Sequence, residues 1–184
     1  MAALLRHPSD RSPSDITIDA TAKLVGDGHI SARFTVIGNL GNVDIPDLST
    51  NPNRKDELWR HTCFEVFIRQ PDQKSYIEYN LSPTRDWAAY EFQDYRKGMK
   101  DAAVDERPTM RTLASSDQFV LDALFNFSPP KGSAISSTLH IGLSAILAGV
   151  DGAVSHWALA HPPGKPDFHH SDCFALQIQA ENPA

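Results

Sequence analysis

The sequence predicts an all-β protein, an antiparallel β-sandwich of two packed sheets. Three observations carry that expectation. Apolar and polar residues alternate with period 2 along most of the chain, which is the spacing of a half-buried strand. Turn residues break these segments into about nine or ten short strands, roughly 10–15 residues apart, as sandwiches and barrels require. No stretch sustains a helical period. The chain of 184 residues suits one domain, expected over residues 15–180, with flexible ends at 1–14 and 181–184.

Taken in order, Ile16 to Val25 and Ile30 to Ile37 both alternate and flank Gly26-Asp27-Gly28, so they read as a hairpin. Residues 38–57 carry Gly38, Gly41, Pro46 and Pro52 and read as a long loop. Residues 59–69 and 74–83 form two strands around Gln70-Pro71-Asp72-Gln73, whose Pro and Asp suit a tight turn. Residues 87–95 are another strand, and the charged 96–108 a loop or a short helical turn. Met110 to Ala114 and Phe119 to Phe127 pair around Ser115-Ser116-Asp117. Ser137 to Ile146 fits either a strand or a short helix. Val154 to Ala160 and Phe174 to Gln179 complete the set.

Composition excludes several functions. With 17 Lys and Arg against 23 Asp and Glu, the net charge is −6, which repels a phosphate backbone and disfavours nucleic acid. No apolar run approaches the roughly 18 residues of a membrane span. The opening MAALLRHPSDR is too short in apolar residues for a signal peptide. The two cysteines, Cys63 and Cys173, cannot form a disulfide framework. A cytoplasmic protein is the simplest expectation. GxSxG, P-loop and dinucleotide fingerprints are absent, and acids beside Cys63 suppress its thiolate.

The hairpin over 59–83 carries the chemistry. If its turn centres between Pro71 and Asp72, Glu65 faces Glu78, Cys63 faces Asn80, His61 faces Ser82 and Phe67 faces Tyr76, all on one face. The other face holds Phe64, Val66 and Ile68 against Tyr79, Ile77 and Ser75, with Leu81 opposite Thr62, which makes a core. On the first face two carboxylates stand opposite each other, normally a destabilising pair, flanked by groups that orient ligands. That face is either a polar floor for a small ligand or a solvent face on which Glu65 pairs with a nearby Arg or Lys. Trp59 and Trp87 flank the hairpin and Tyr90 follows. An aromatic at the rim of such a floor stacks on a sugar while acids and amides take the hydroxyls; core packing is the competing role for each Trp.

Leu58-Trp59-Arg60-His61-Thr62-Cys63-Phe64-Glu65-Val66-Phe67 and Tyr76-Ile77-Glu78-Tyr79-Asn80-Leu81-Ser82-Pro83 resemble the DOMON-like superfamily, which includes the family 9 carbohydrate-binding modules. WAAYEFQDYR (87–96) and HWALAHPPGKPDFHHSDCFAL (156–176) are similar to the small stand-alone bacterial DOMON-like proteins. The resemblance implies a sandwich that binds a ligand on or between its sheets. It aligns Trp59 with the Trp at the entry of the family's strand, Glu65 with the acid inside it, and Asn80 with the polar residue ending the next. Sugar-binding relatives carry acids just after the Trp, where this chain has His61 and Thr62. Haem-binding relatives use Met with His; Met99 and Met110 lie in polar, charged segments away from the hairpin, so no haem is expected.

His156, His161, Asp167, His169, His170, Asp172 and Cys173 crowd one segment. It is a structural loop, a ligand-contacting lid, or a metal site, although its spacing matches no standard zinc signature. Pro162-Pro163-Gly164 and Pro166 stiffen it and project Lys165, Asp167 and His169, while His161 follows the strand that holds Trp157.

These residues point to a non-catalytic domain binding a small polar molecule, most plausibly a saccharide. Glu65, Glu78, Asn80 and Ser82 take hydroxyls, with Trp59 or Trp87 stacking, and His61, Tyr90 and His169 are further candidate ligand contacts. Alternatively, Arg85, Lys165 and His161 select an anionic ligand such as a sugar acid. The alternatives are a hydrolase using Glu65 and Glu78, whose direct opposition suggests the roughly 5–5.5 Å separation of retaining glycosidases, and a protein-interaction domain using an edge strand or the 38–57 loop. No cofactor, nucleic acid or membrane is expected, and the oligomeric state is left open.

Overall fold

The computed structural model describes residues 1–10, 15–26, 28–127 and 136–179. Among these residues it holds twelve strands, with no α-helix and three short 3-10 turns. The strands are β1 (Ala2–Arg6), β2 (Thr17–Val25), β3 (His29–Ile37), β4 (Cys63–Arg69), β5 (Tyr76–Leu81), β6 (Trp87–Phe92), β7 (Lys100–Asp101), β8 (Thr109–Ala114), β9 (Gln118–Asn126), β10 (Thr138–Ala148), β11 (Val154–Ala158) and β12 (Leu176–Gln179). All of the ladders joining them are antiparallel. The all-β, antiparallel expectation holds, with more strands than the sequence pattern separates.

One hydrogen-bonded order, β7-β6-β5-β4-β10-β11-β1-β2-β3-β9-β8, runs through the molecule, with β12 beside β10. The sheet curls so that its two halves face each other across the core. β2, β3 and β9 contribute their alternate buried residues, among them Ile18, Phe34 and Phe125. Phe64, Val66 and Ile68 of β4 and Ile77, Tyr79 and Leu81 of β5 meet them from the other half. Phe64 stacks on Phe119 at 5.7 Å and Tyr79 on Phe125 at 4.2 Å. The Tyr79 hydroxyl donates to Asn126 O at 2.8 Å, so its polar end is satisfied where the ring is buried.

The amino-terminal segment departs from its expectation. Residues 2–6, expected to be flexible, form β1, which joins the two halves. Ala2, Ala3 and Leu4 pair with β2, and Leu5 and Arg6 pair with β11. A five-residue strand gives little period-2 signal, so its pairing is set by the two edges it closes. The 181–184 end and residues 11–14 lie outside the described residues.

Two smaller differences matter for the site. Trp59 does not enter a strand; it sits in a 3-10 turn, Leu58–Arg60, launched by Glu57 at φ 60. The ambiguous 137–146 segment is strand, and its ladder partners explain the choice. β10 lies between β4 on one side and β11 and β12 on the other, and a central strand reads as a continuous apolar run rather than an alternation.

The β4–β5 register differs by two residues from the one expected. Glu65 faces Asn80, not Glu78; Phe67 faces Glu78; Phe64 faces Leu81. The reason lies in the core. This register pairs Phe64–Leu81, Val66–Tyr79 and Ile68–Ile77, whereas the expected one left Leu81 against Thr62 and Ile68 against Ser75. The turn admits it because Asp72 takes φ 59 after Pro71, with the Gln73 N–H donating to Gln70 O at 3.3 Å. Lys74 and Ser75 then extend the loop. A two-residue slip preserves the face of every side chain.

If β1 closes the sheet as described, Leu4, with 4% of its surface exposed, belongs to the cooperative core. Leu4→Ala is then expected to cost about 2–4 kcal/mol in urea unfolding. A loss below about 1 kcal/mol would show that β1 adds little to the core.

Candidate functional site

The outer face of β4, β5 and β6, which a half-exposed sheet would turn to water, is buried. Residues 63–68 and 76–81 are buried on both faces. Two segments cover this outer face: the 3-10 turn bearing Trp59, and the chain from Leu159 to Phe174. Gly142 lets the second approach. A Cβ there would stand 3.2 Å from both Cys173 O and Phe67 Cβ. The Cys173 thiol lies 3.1 Å from Ala160 O and 3.2 Å from Asp167 O, fastening the segment to itself.

Between sheet and cover lies a cavity of about 370 Å³, within the range of small-ligand sites. Glu65 and Glu78 form its floor, and Trp59, Phe92, Ile146 and Phe168 give apolar walls. Arg96, Met99, His156, Pro166 and His169 complete the lining. Trp59 is half-buried, its ring edge-on to Tyr90 at 5.8 Å. The Tyr90 hydroxyl donates to Asp56 Oδ1 at 2.7 Å, so Tyr90 backs Trp59 from beneath.

The two glutamates stand diagonally on adjacent strands. Only 3% of Glu65 and 5% of Glu78 is exposed. Ser144 faces Glu65 from β10 and donates its hydroxyl proton to Glu65 Oε2 at 3.0 Å. Asn80 Nδ2 donates to Glu78 Oε1 at 2.5 Å. Burial pushes both carboxyls well above the ordinary carboxylate range; the charge of Glu78 raises Glu65 further, while Ser144, Asn80 and the more distant Arg96 pull only partly back. The pair therefore holds a proton at neutral pH. Burial, then Glu65, likewise keeps the Cys63 thiol protonated.

His169 sits above Glu78 in an aromatic box, its ring 5.2 Å from Phe67 and 5.0 Å from Phe92. Burial first, and then the Arg96 charge, lower its imidazole to about 4, with Asp167 acting the other way. It is neutral near pH 7. The Arg96 backbone N–H donates to the Tyr76 hydroxyl at 3.2 Å, and that hydroxyl lies 2.7 Å from His169 Nδ1. The arrangement that satisfies both groups has the Tyr76 O–H donating to Nδ1 and Nε2–H turned to Glu78 Oε2, 3.7 Å away. With the carboxyl raised and the imidazole lowered, this contact is not an ion pair.

Arg96 links the cavity to its cover. Its guanidinium donates to Asp167 Oδ1 from Nε at 3.1 Å and Nη2 at 2.7 Å. The Tyr95 hydroxyl donates to the other Asp167 oxygen, and the His169 N–H to Oδ1 at 3.2 Å. Beyond Arg96 the surface continues into an open groove of about 400 Å³ lined by Tyr95, Lys165, His170 and prolines.

The structure thus gathers Trp59, Glu65, Glu78 and His169 in one cavity. Asn80 and Tyr90 stand behind it, and Lys165 lies on the adjoining groove. His61 is exposed beside the Trp59 turn. His161 is outside the cavity, with Nε2 2.7 Å from Leu5 O and its ring against His7. Ser82 Oγ accepts the Thr84 N–H at 3.2 Å within the 82–86 turn. Arg85 and Trp87 line a different cleft, because Trp87 points to the core side of β6 while Tyr90 and Phe92 point to the outer side. Sequence reading did not single out Arg96, Phe92, Ile146 or Phe168 as site residues, although all but Ile146 lie in the two segments, 87–96 and 156–176, that carry the resemblance. It also set Met99 away from the site, where the chain after β6 in fact returns it to the cavity wall.

The histidine segment disperses its donors. His156 is held by Asp10, whose carboxylate takes the His156 N–H at 2.6 Å. His170 Nδ1 accepts the Asp172 N–H at 3.3 Å and caps a 3-10 turn. Among the described residues no group of three His, Cys, Asp or Glu is placed to hold a metal ion, and no helix is long and apolar enough to cross a membrane.

No family profile and no curated protein matches the sequence. Solved structures do match the fold. A protein of Bacteroides uniformis, provisionally described as carbohydrate-binding, aligns over 98% of this chain and 85% of its own, with TM-score 0.63 and 12% identity. A family 9 carbohydrate-binding module of Caldicellulosiruptor kristjanssonii, in complex with glucose, aligns over 95% and 81%, with TM-score 0.54 and 12% identity. Its cellotriose complex aligns over 98% and 83%, again at 0.54 and 12%. The likeness is one of fold: an all-β architecture shared with carbohydrate-binding proteins.

The buried carboxyls set a pH dependence. A carboxyl raised above its ordinary 4.5 contributes stability that is complete below that value and is lost as pH rises through the raised one. His169 runs the other way, its contribution present above 6.5 and lost as pH falls toward 4. The two trends oppose each other between 4.5 and 6.5, so the carboxyl term shows cleanly from about pH 6.5 to 8.5. Urea stability of the protein is expected to fall across that window, and the doubly substituted Glu65→Gln, Glu78→Gln protein to fall less steeply. Equal slopes would contradict the assignment.

Proposed function

We propose that the protein is a non-catalytic binding domain whose outer-sheet cavity takes a saccharide, neutral or acidic. The observation that carries this reading is the buried glutamate pair at the base of an aromatic-walled cavity. A protonated carboxyl both donates and accepts hydrogen bonds, which suits sugar hydroxyls, and a water-poor floor strengthens each such bond. Trp59 at the rim offers its face to a ring. Arg96, not Arg85, is the arginine on this cavity, its charge shared with Asp167, and the groove bearing Lys165 gives room for a second unit. The sugar-binding neighbours support the reading through their fold.

The sequence resemblance to DOMON-like proteins belongs to this proposal. Of its three aligned residues, Trp59 and Glu65 line the cavity, and Asn80 acts by holding Glu78. The register removes the direct opposition on which a retaining hydrolase rested. Glu65 and Glu78 are diagonal on adjacent strands, where backbone positions lie about 7–8 Å apart, not directly opposed.

Calorimetric titration with glucose, cellotriose and glucuronate tests the proposal. At least one is expected to bind saturably. Glu78→Gln and Trp59→Ala should each weaken binding about tenfold or more, with no release of reducing ends from cellotriose. Turnover abolished by Glu78→Gln would favour the hydrolase, and no binding by any sugar would overturn the proposal.

A further inference from the structure

Arg85 and Trp87, set apart from the glutamate cavity, line a second cleft of about 220 Å³ between β6 and β8. Its walls also carry Arg107, Met110 and two prolines, with no acidic residue. That is unexpected in a chain of net charge −6. Among the described residues neither Arg85 nor Arg107 has an ion-pair partner. Arg85 Nε is shut from solvent and makes no hydrogen bond, one of three such side-chain atoms among the described residues with Arg54 Nε and His161 Nδ1, and such uncompensated donors are rare.

The backbone holds Arg85 in place. Its φ is 70, a left-handed conformation that a long side chain seldom adopts. The turn enforces it. The Arg85 N–H donates to Ser82 O at 2.9 Å and the Ser82 N–H to Asp86 O at 3.0 Å. Asp86, nearly buried, accepts from the Thr84 hydroxyl at 2.8 Å, Lys55 Nζ at 2.7 Å and the Asn53 N–H at 3.1 Å. The acid nearest in sequence is thus already engaged and does not neutralise Arg85. Such over-determined strain is found where a side chain must be presented.

We propose that this cleft binds the oxyanion of a small molecule, a carboxylate or a phosphate, between the guanidinium groups of Arg85 and Arg107, with the apolar remainder of the ligand against Trp87 and Met110. A planar guanidinium matches either anion through paired N–H donors. The cleft volume is below that of sites for drug-sized ligands, so the ligand is small. Arg54, 5.5 Å over the Trp87 ring, adds positive charge from behind, partly offset by its contact with Asp101 at 3.1 Å.

The test is a nitrogen-15 NMR titration of the full chain at fixed pH and ionic strength, with inorganic phosphate in one arm and benzoate in the other. A saturable shift of the Trp87 indole N–H is expected in at least one arm, with the Trp59 indole, in the other cavity, unmoved. The arm that binds more tightly distinguishes phosphate from a ring-borne carboxylate. Arg85→Gln and Arg107→Gln should each weaken binding about tenfold or more. Arg107 is exposed, so its variant decides the matter even if Arg85→Gln fails to fold. Shifts that do not saturate in either arm, or an affinity unchanged in Arg107→Gln, would overturn the proposal.

Discussion

Side chains alternate along a strand, so the apolar pairs that β4 and β5 make in the core decide which polar groups stand on the outer face. Phe64–Leu81, Val66–Tyr79 and Ile68–Ile77 each bury hydrocarbon against hydrocarbon, and any other register of the same parity would lose one of them. Once these pairs form, Cys63, Glu65 and Phe67 from one strand and Tyr76, Glu78 and Asn80 from the next must point outward together. The site follows from core packing, with no separate device needed to assemble its floor.

The outer face then demands a cover. Two carboxyls with an amide, a hydroxyl and a thiol between them would be ordinary in water. Under Phe168, Trp59 and the chain to Phe174, solvation is lost, and the charged forms become costly. The molecule meets this by keeping a proton on the glutamate pair and by leaving His169 neutral. The cation that is present, Arg96, is committed to Asp167 in the cover. What remains is a floor of hydrogen-bonding groups with little net charge, the chemistry a polyhydroxylated ligand needs.

Period-2 alternation made the first half of the sheet legible, since β2, β3 and β9 each bury one face and wet the other. It also placed Glu65, Glu78 and Asn80 on a shared face correctly, because a two-residue slip leaves parity intact. The pairing itself was not legible, since it depended on φ at Asp72 and on two extra loop residues. β1 was missed because five residues carry almost no periodic signal. Arg96, Phe92 and Phe168 were invisible as site residues because the fold brings them there from separate segments. The assignment of Arg85 and Trp87 to the main site failed for a simple reason. Trp87 and Tyr90 are three apart on one strand and so face opposite sides.

The account rests on the protonation of the glutamate pair. Carbon-13 NMR of the Glu65 and Glu78 side-chain carboxyls, followed through a pH titration, measures it directly. The account requires that at least one of the two remain protonated at pH 7, and that Glu78→Gln bring the Glu65 titration down toward the ordinary range. If both carboxyls ionise together near 4.5, as exposed glutamates do, the floor is wet and charged, and the cavity described here does not exist in solution.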